Sequence, residues 1–245
     1  PLIWTQLPDS VAFLVRQGKI AEARKVLAAL TGKPLPDDAE LAVHQPQKTE
    51  QSLAALFSNN RALSTLMFFQ AFFMCLLMVY GLGSWLPKLM TMAGYGFGSS
   101  LMFLLFLNIG GIIGAIGGGW LSDRFHPRPV LMLFFTLAAV SLALLGFKSH
   151  VAVLYFLVTV AGATTIGSQI LLYAYVAQFY PTAIRSTALG WSSGVGRIGA
   201  ILGPVLGGAL LAMQLSHQMN FLAFVVPGAL AVIAIMLTAG RKEAV

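Results

Sequence analysis

The chain has 245 residues, of which 58% are hydrophobic and 9% charged, with a formal net charge of +7. Soluble domains carry about 25% charged residues, so this composition excludes a soluble globular protein and indicates a polytopic membrane protein. The basic residues fall mostly in alternate connecting segments, a distribution set by membrane topology and not by nucleic-acid binding.

The chain begins at Pro1 with no initiator Met, basic n-region or cleavage site, and reads as the C-terminal half of a longer protein. Leu7-Pro8-Asp9-Ser10 is a helix-start signal. From Ala12 to Leu30, apolar Leu14, Val15, Ile20, Ala23, Val26 and Leu27 interleave with Arg16, Lys19, Glu22, Arg24 and Lys25. That pattern predicts one amphipathic helix with a basic face, suited to a membrane surface or to the helix ends of a bundle. Residues 31–51, with Gly32, Pro34, Pro36 and Pro46, read as a linker, and Leu53–Phe57 as a short amphipathic turn. The expected organisation is a cytoplasmic linker region over 1–60 and a six-helix transmembrane bundle over 61–245.

Six apolar segments follow, at about 62–86, 99–121, 129–147, 151–177, 187–212 and 220–240. Each is long enough to cross roughly 30 Å of hydrocarbon at 1.5 Å per residue. The connections at about 87–98, 148–150 and 213–219 lie on one side. The N-terminal region, 122–128, 178–186 and the C-terminal tail lie on the other. The second group holds twelve of the fifteen Lys and Arg, so both ends are expected on the cytoplasmic side of an inner membrane.

The acids are Asp9, Glu22, Asp37, Asp38, Glu40, Glu50, Asp123 and Glu243, and on this topology all lie outside the spans. The histidines, His44, His126, His150 and His217, also fall in loops. A proton relay would therefore have to come from acidic residues elsewhere, on a missing N-terminal half. Arg197 is the one full charge deep in a span. With no acid there to pair with, it must face water, a carboxylate of another half or an anionic substrate, and its planar fork suits a carboxylate. The alternative is an arginine bonded to backbone carbonyls, or to a fixed acid of the other half, as packing.

Glycines recur every four residues at Gly110, Gly114 and Gly118, and again at Gly199, Gly203 and Gly207. Small residues at that stride let helix backbones approach closely. Asn108, Gln169, Tyr173, Tyr175, Trp191 and Ser193 are candidate walls of a substrate path, as are Gln70, Tyr80 and several hydroxyl residues. Gln169 and Tyr173 share a helix face, as do Ser193 and Arg197. Trp85 reads as an interfacial anchor. No nucleophile–base–orienter set and no metal-ligand cluster is visible, so an enzyme is not expected, and neither is a cofactor.

Two loops carry a resemblance. Gly119-x-Leu121-Ser122-Asp123-Arg124 resembles the loop motif G-x-L-x-D-R-x-G-R-[RK] of the major facilitator superfamily. Here His126 stands in place of the glycine and Pro127 in place of the next base, with Arg128 kept. Leu7-Pro8-Asp9-Ser10 through Glu22-Ala23 resembles the opening of that superfamily's central cytoplasmic linker, with Val11-Ala12 where Pro-Arg is common. Ala177-Gln178-Phe179-Tyr180-Pro181-Thr182-x-Ile184-Arg185, continuing to Gly203-Pro204, is similar to the aromatic acid:proton symporters, which import benzoate, 4-hydroxybenzoate and related acids. The resemblance implies an all-α integral membrane fold, namely the C-terminal six-helix half of a twelve-helix transporter, preceded by a cytoplasmic linker.

It implies proton-coupled import of aromatic carboxylates across the inner membrane. On that reading Arg197 attracts or gates the carboxylate, with contacts from Tyr173, Tyr175, Gln169, Trp191, Ser193 or Asn108. Asp123, Arg124, His126, Arg128 and Arg185 serve the cytoplasmic gate. Partners are then the aromatic acid, protons through acids of the other half, and the lipid bilayer, without nucleic acid. Two other readings stay open: a porter for sugars or aliphatic organic acids, and a non-transporting half-bundle or scaffold.

Overall fold

The computed structural model describes residues 11–31 and 53–238. The chain divides into two compact units, 1–49 and 50–245. In the first, the single helix predicted over 12–30 is broken into α1 (Val11–Arg16) and α2 (Ile20–Thr31). The break falls at Gly18, whose φ of +78° belongs to the left-handed region that glycine enters without penalty. The helix-start signal at 7–10 and, Thr31 apart, the linker at 31–51 lie outside the described residues.

The second unit opens with α3 (Leu53–Phe57), the short turn expected there. Six long helices follow: α4 (Ala62–Met92), α5 (Phe97–Phe125), α6 (Pro127–Leu145), α7 (Val151–Phe179), α8 (Thr182–Ala212) and α9 (His217–Leu237). Each is long and apolar enough to cross a membrane. Most run several residues past the apolar segments, so four of the five connections are shorter than predicted, while the one between α6 and α7, at 146–150, is longer. The expected loop over 122–128 reduces to His126 alone, because α5 continues through Asp123 and Arg124 and Pro127 opens α6 at once. Pro suits a first helical position, where its missing N–H has no partner to lose.

Helix ends meet as the alternation of loops requires. At one end Arg128 of α6 donates to the Met236 carbonyl of α9, and Tyr180 meets Thr65 of α4. At the other, Tyr95 donates to the Ser149 carbonyl, and His217 Nε2 lies 3.2 Å from the Leu145 carbonyl.

Two parallel pairs, α4 with α8 and α5 with α7, are packed backbone to backbone through the glycine stripes. Gly199 and Gly203 lie on the carbonyls of Phe73 and Leu77; Gly110 and Gly114 lie on those of Thr159 and Ala163. A Cβ at any of the four would collide with main chain, which side-chain rearrangement cannot relieve. The pairs are copies of one arrangement. Adding 86 carries Phe73, Leu77, Gly81 and Trp85 onto Thr159, Ala163, Gly167 and Leu171, while subtracting 89 carries Gly199, Gly203 and Gly207 onto Gly110, Gly114 and Gly118. In one copy Gly81 meets Gly203 and the Phe224 ring; in the other Gly167 meets Gly114 and the Phe134 ring. Helices α4–α6 and α7–α9 are thus two three-helix repeats of opposite direction.

The apolar core runs between these pairs and the helices α6 and α9 behind them, with Phe68, Phe72, Phe135, Phe221 and Phe224 almost wholly buried. Burial is uneven. In the most apolar stretch of each helix, 22% of α8 and 33% of α5 is buried, against 44–50% for the other four. These two helices are mates under the repeat, and they present the open faces of the bundle.

Candidate functional site

Arg197 is the midpoint of the 31-residue α8, about 22 Å from either end at 1.5 Å per residue. It is more central than a span starting at 187 suggested, because α8 begins at Thr182. The glycine stripe fixes its direction. Gly196 and Gly199 turn onto α4, so Arg197 between them turns outward and is exposed. Its Nη1 donates to the hydroxyl of Tyr80 on α4 at 3.0 Å. The guanidinium is thus held by a neutral oxygen, and its charge is not cancelled. The sequence marked both residues but could not pair them, since 117 positions separate them.

Around this pair, Ser193 sits one turn before Arg197 and donates back to the Gly190 carbonyl at 3.1 Å. Trp191 is exposed on the same helix. Tyr173 of α7 is half-buried and packs edge-on to Phe72, with centroids 5.0 Å apart; Phe72 in turn supports Gly196. Gln169, one turn before Tyr173, is half-buried. Asn108 lies on α5, exposed, and donates to the Leu104 carbonyl of its own helix at 2.8 Å. The repeat carries Arg197 onto Asn108 and Tyr80 onto Ile166. The second copy therefore has a polar group at the same station, without the phenol that holds it.

Tyr175, expected as a ring contact, lies in the core. Like Tyr173 it reaches α4, one turn nearer the start of that helix. There it is buried, edge-on to Phe68, with Oη 3.0 Å from Thr238 Oγ1. Arg128, expected at a gate, is bonded within the bundle. Its Nη2 donates to the Met236 carbonyl at 2.8 Å, a cation completing the C-terminal turn of α9 where carbonyls are left unpaired. Trp85, expected at the interface as an anchor, is half-buried against Gly207 and Gly208, and its Nε1 donates to the Pro204 carbonyl at 2.7 Å.

At the end of the bundle where Arg128 lies, Asp123 is exposed in the last turn of α5, and Arg124 lies 5.9 Å from the Trp120 ring centroid. His126 is exposed with φ +66° and ψ 152°, in the region that glycine alone enters readily. That is the position where the family motif has glycine. Arg185, in the first turn of α8, is half-buried with its Nε unpartnered. Tyr180 of the Tyr-Pro-Thr stretch was assigned no role from sequence, and it is almost fully buried. Thr65 gives its proton to the Leu56 carbonyl at 2.7 Å, so Tyr180 donates to Thr65 Oγ1 at 2.7 Å, tying the α7–α8 turn to α3 and α4. Burial raises the Tyr180 phenol above its ordinary pKa, against smaller lowering by Thr65 and the Arg61 charge.

The family model described as Major Facilitator Superfamily matches residues 108–244, more than half of the chain. The chain belongs to the major facilitator superfamily. Membership makes it a transport-family protein and not an enzyme. Among curated relatives it is 44% identical over 239 residues to the benzoate transport protein of Acinetobacter baylyi (strain ATCC 33305 / BD413 / ADP1), covering 96% of this chain and 51% of that protein. It is 32% identical over 240 residues to the 4-hydroxybenzoate transporter PcaK of Pseudomonas putida, covering 96% and 53%. It is 48% identical over 154 residues to the gentisate transporter of Corynebacterium glutamicum (strain ATCC 13032 / DSM 20300 / JCM 1318 / BCRC 11384 / CCUG 27702 / LMG 3730 / NBRC 12168 / NCIMB 10025 / NRRL B-2784 / 534), covering 63% and 35%. Among solved structures, the fucose:proton symporter FucP of E. coli superposes with a TM-score of 0.65 at 17% identity, covering 90% of this chain and 53% of that one, which speaks for the fold alone. The chain spans about half the length of the curated relatives it matches across most of its own length. The superfamily fold explains the six spans and the paired three-helix repeats.

Proposed function

We propose that this chain is the C-terminal six-helix half of a twelve-helix symporter that imports aromatic carboxylates, such as benzoate or 4-hydroxybenzoate, with protons across the inner membrane. Residues 1–60 serve as the cytoplasmic linker between halves and 61–245 as the bundle, with both ends of the chain in the cytoplasm. The observation that carries the reading is Arg197: an exposed guanidinium at mid-membrane, held by a neutral phenol so that its full charge is offered to an anion. The named cargoes of the similar transporters, all aromatic acids, support a ring-bearing carboxylate.

In the mechanism this implies, the other half docks on the open faces of α5 and α8, enclosing Arg197 in a path of low dielectric where its attraction for a carboxylate strengthens. Tyr173, Gln169, Trp191, Ser193 and Asn108 supply the apolar and polar wall. Asp123, in the last turn of α5, faces the positive N-terminus of a helix of the other half, and with Arg124 and Arg185 latches the cytoplasmic side. The middle of every span here lacks an acid, so the proton is carried by carboxylates of the other half.

Uptake of labelled benzoate and 4-hydroxybenzoate by the intact protein tests this. Arg197→Ala should cut uptake at least tenfold, in keeping with loss of a charge-assisted bond. Unchanged uptake removes Arg197 from the path, and a preference for sugars over aromatic acids overturns the cargo.

A further inference from the structure

Tyr80 has an unused donor. A phenol oxygen that accepts from a guanidinium keeps its own O–H, and among the described residues no acceptor takes that proton. Accepting from a cation also withdraws electron density from the oxygen and makes the O–H a stronger donor. Arg197 spends one Nη on Tyr80, leaving its other Nη and Nε hydrogens for a planar anion. Both side chains are exposed, Tyr80 at 39%. Space lies beside them: around Gly194, three residues before Arg197, and Gly83, three after Tyr80, nothing beyond the local helix backbone stands within 4 Å of where a Cβ would be.

We propose that Tyr80 and Arg197 form a single two-donor clamp for the carboxylate of the transported acid. The Tyr80 O–H takes one carboxylate oxygen and the free N–H edge of Arg197 the other. The proposal rests on the reading of Arg197 as the substrate contact and adds to it a second, neutral contact residue. It also defines what is recognised: the clamp reads the carboxylate and ignores the substituents of the ring. A neutral partner suits this task. An acid at position 80 would fix the arginine equally well but would cancel the charge that draws the anion.

The test is uptake kinetics in the intact transporter with Tyr80→Phe, which keeps the ring and removes the oxygen. KM should rise about tenfold with Vmax within twofold, and by the same factor for benzoate, 4-hydroxybenzoate and gentisate, since all three share the carboxylate. Adding Tyr80→Phe to Arg197→Ala should cost little more than Arg197→Ala alone, because the two donors act as one unit. An unchanged KM in Tyr80→Phe, with Arg197→Ala impaired, overturns the clamp and leaves the Arg197 reading standing. A rise confined to the hydroxylated acids also overturns it, by making Tyr80 a reader of ring substituents. Normal uptake by Arg197→Ala sinks both.

Discussion

His126 shows what a single residue can hold. It is the whole connection between α5 and α6, at φ +66° and ψ 152°. That region costs a residue with a Cβ about 1–3 kcal/mol, whereas glycine enters it freely and gives up about 0.5–1 kcal/mol through the entropy of its unfolded chain. The balance favours glycine, so His126→Gly should stabilise the bundle by about 1 kcal/mol, read as a higher midpoint in thermal unfolding in detergent. A lower midpoint would mean that the imidazole makes contacts worth more than the strain. The same geometry accounts for a feature of the sequence: the superfamily motif has glycine here because the turn needs it. Arg197 teaches the complementary lesson. Its depth and its lack of an acidic partner were legible from the acid census and hydropathy. Its actual partner was not, because a hydrogen bond between α4 and α8 depends on a register that no local pattern encodes.

At the scale of the helix, the glycine stripes decide which pairs touch. The four-residue stride was readable, but the structure separates glycines that look alike in sequence. Gly114 lies on the Ala163 carbonyl, while Gly117, on the same helix, faces open space. Gly114→Ala should therefore destabilise by several kcal/mol, since main chain must move, and Gly117→Ala should be neutral or slightly stabilising through helix propensity. Chemical or thermal unfolding of the two variants side by side checks this; equal effects would mean that the stripe is not the packing surface. The six spans themselves were legible because apolar length is a direct physical requirement of a bilayer. Their ends were not. Helices here extend through polar residues such as Asp123 and Arg124, which hydropathy assigns to a loop although their backbone stays helical. The break at Gly18 was missed for the opposite reason: the apolar pattern continues across a residue whose backbone does not. The burial of Tyr175 was not legible, because a tyrosine in a span looks the same in sequence whether it lines a path or closes a core.

For the whole molecule, the charge distribution sets the orientation. The side bearing most of the Lys and Arg, which includes the α7–α8 turn, should be cytoplasmic, and the side with Lys148 external. In intact cells, on a Cys75→Ser background, a cysteine introduced by Lys148→Cys should react with a membrane-impermeant thiol reagent, and one introduced by Gln178→Cys should not until the membrane is opened. The reverse pattern would invert the topology. Cys75 itself is buried, so its replacement removes background without touching either surface.

The two three-helix repeats bear on the balance between conformations. If α4–α6 and α7–α9 were identical in sequence, exchanging their shapes would turn the bundle over without changing its energy, and a shape tilted toward one side of the membrane would be as populated as its mirror. Only the positions where the copies differ can tip that balance. Gly81 and Gly167, Gly203 and Gly114, and Phe224 and Phe134 are matched and contribute nothing to it. Trp85 against Leu171, Tyr80 against Ile166 and Arg197 against Asn108 are unmatched. Tyr80 and Arg197 are therefore among the positions that can bias the resting state, and on the proposed clamp a carboxylate bound between them acts on that equilibrium at a point where the two repeats differ.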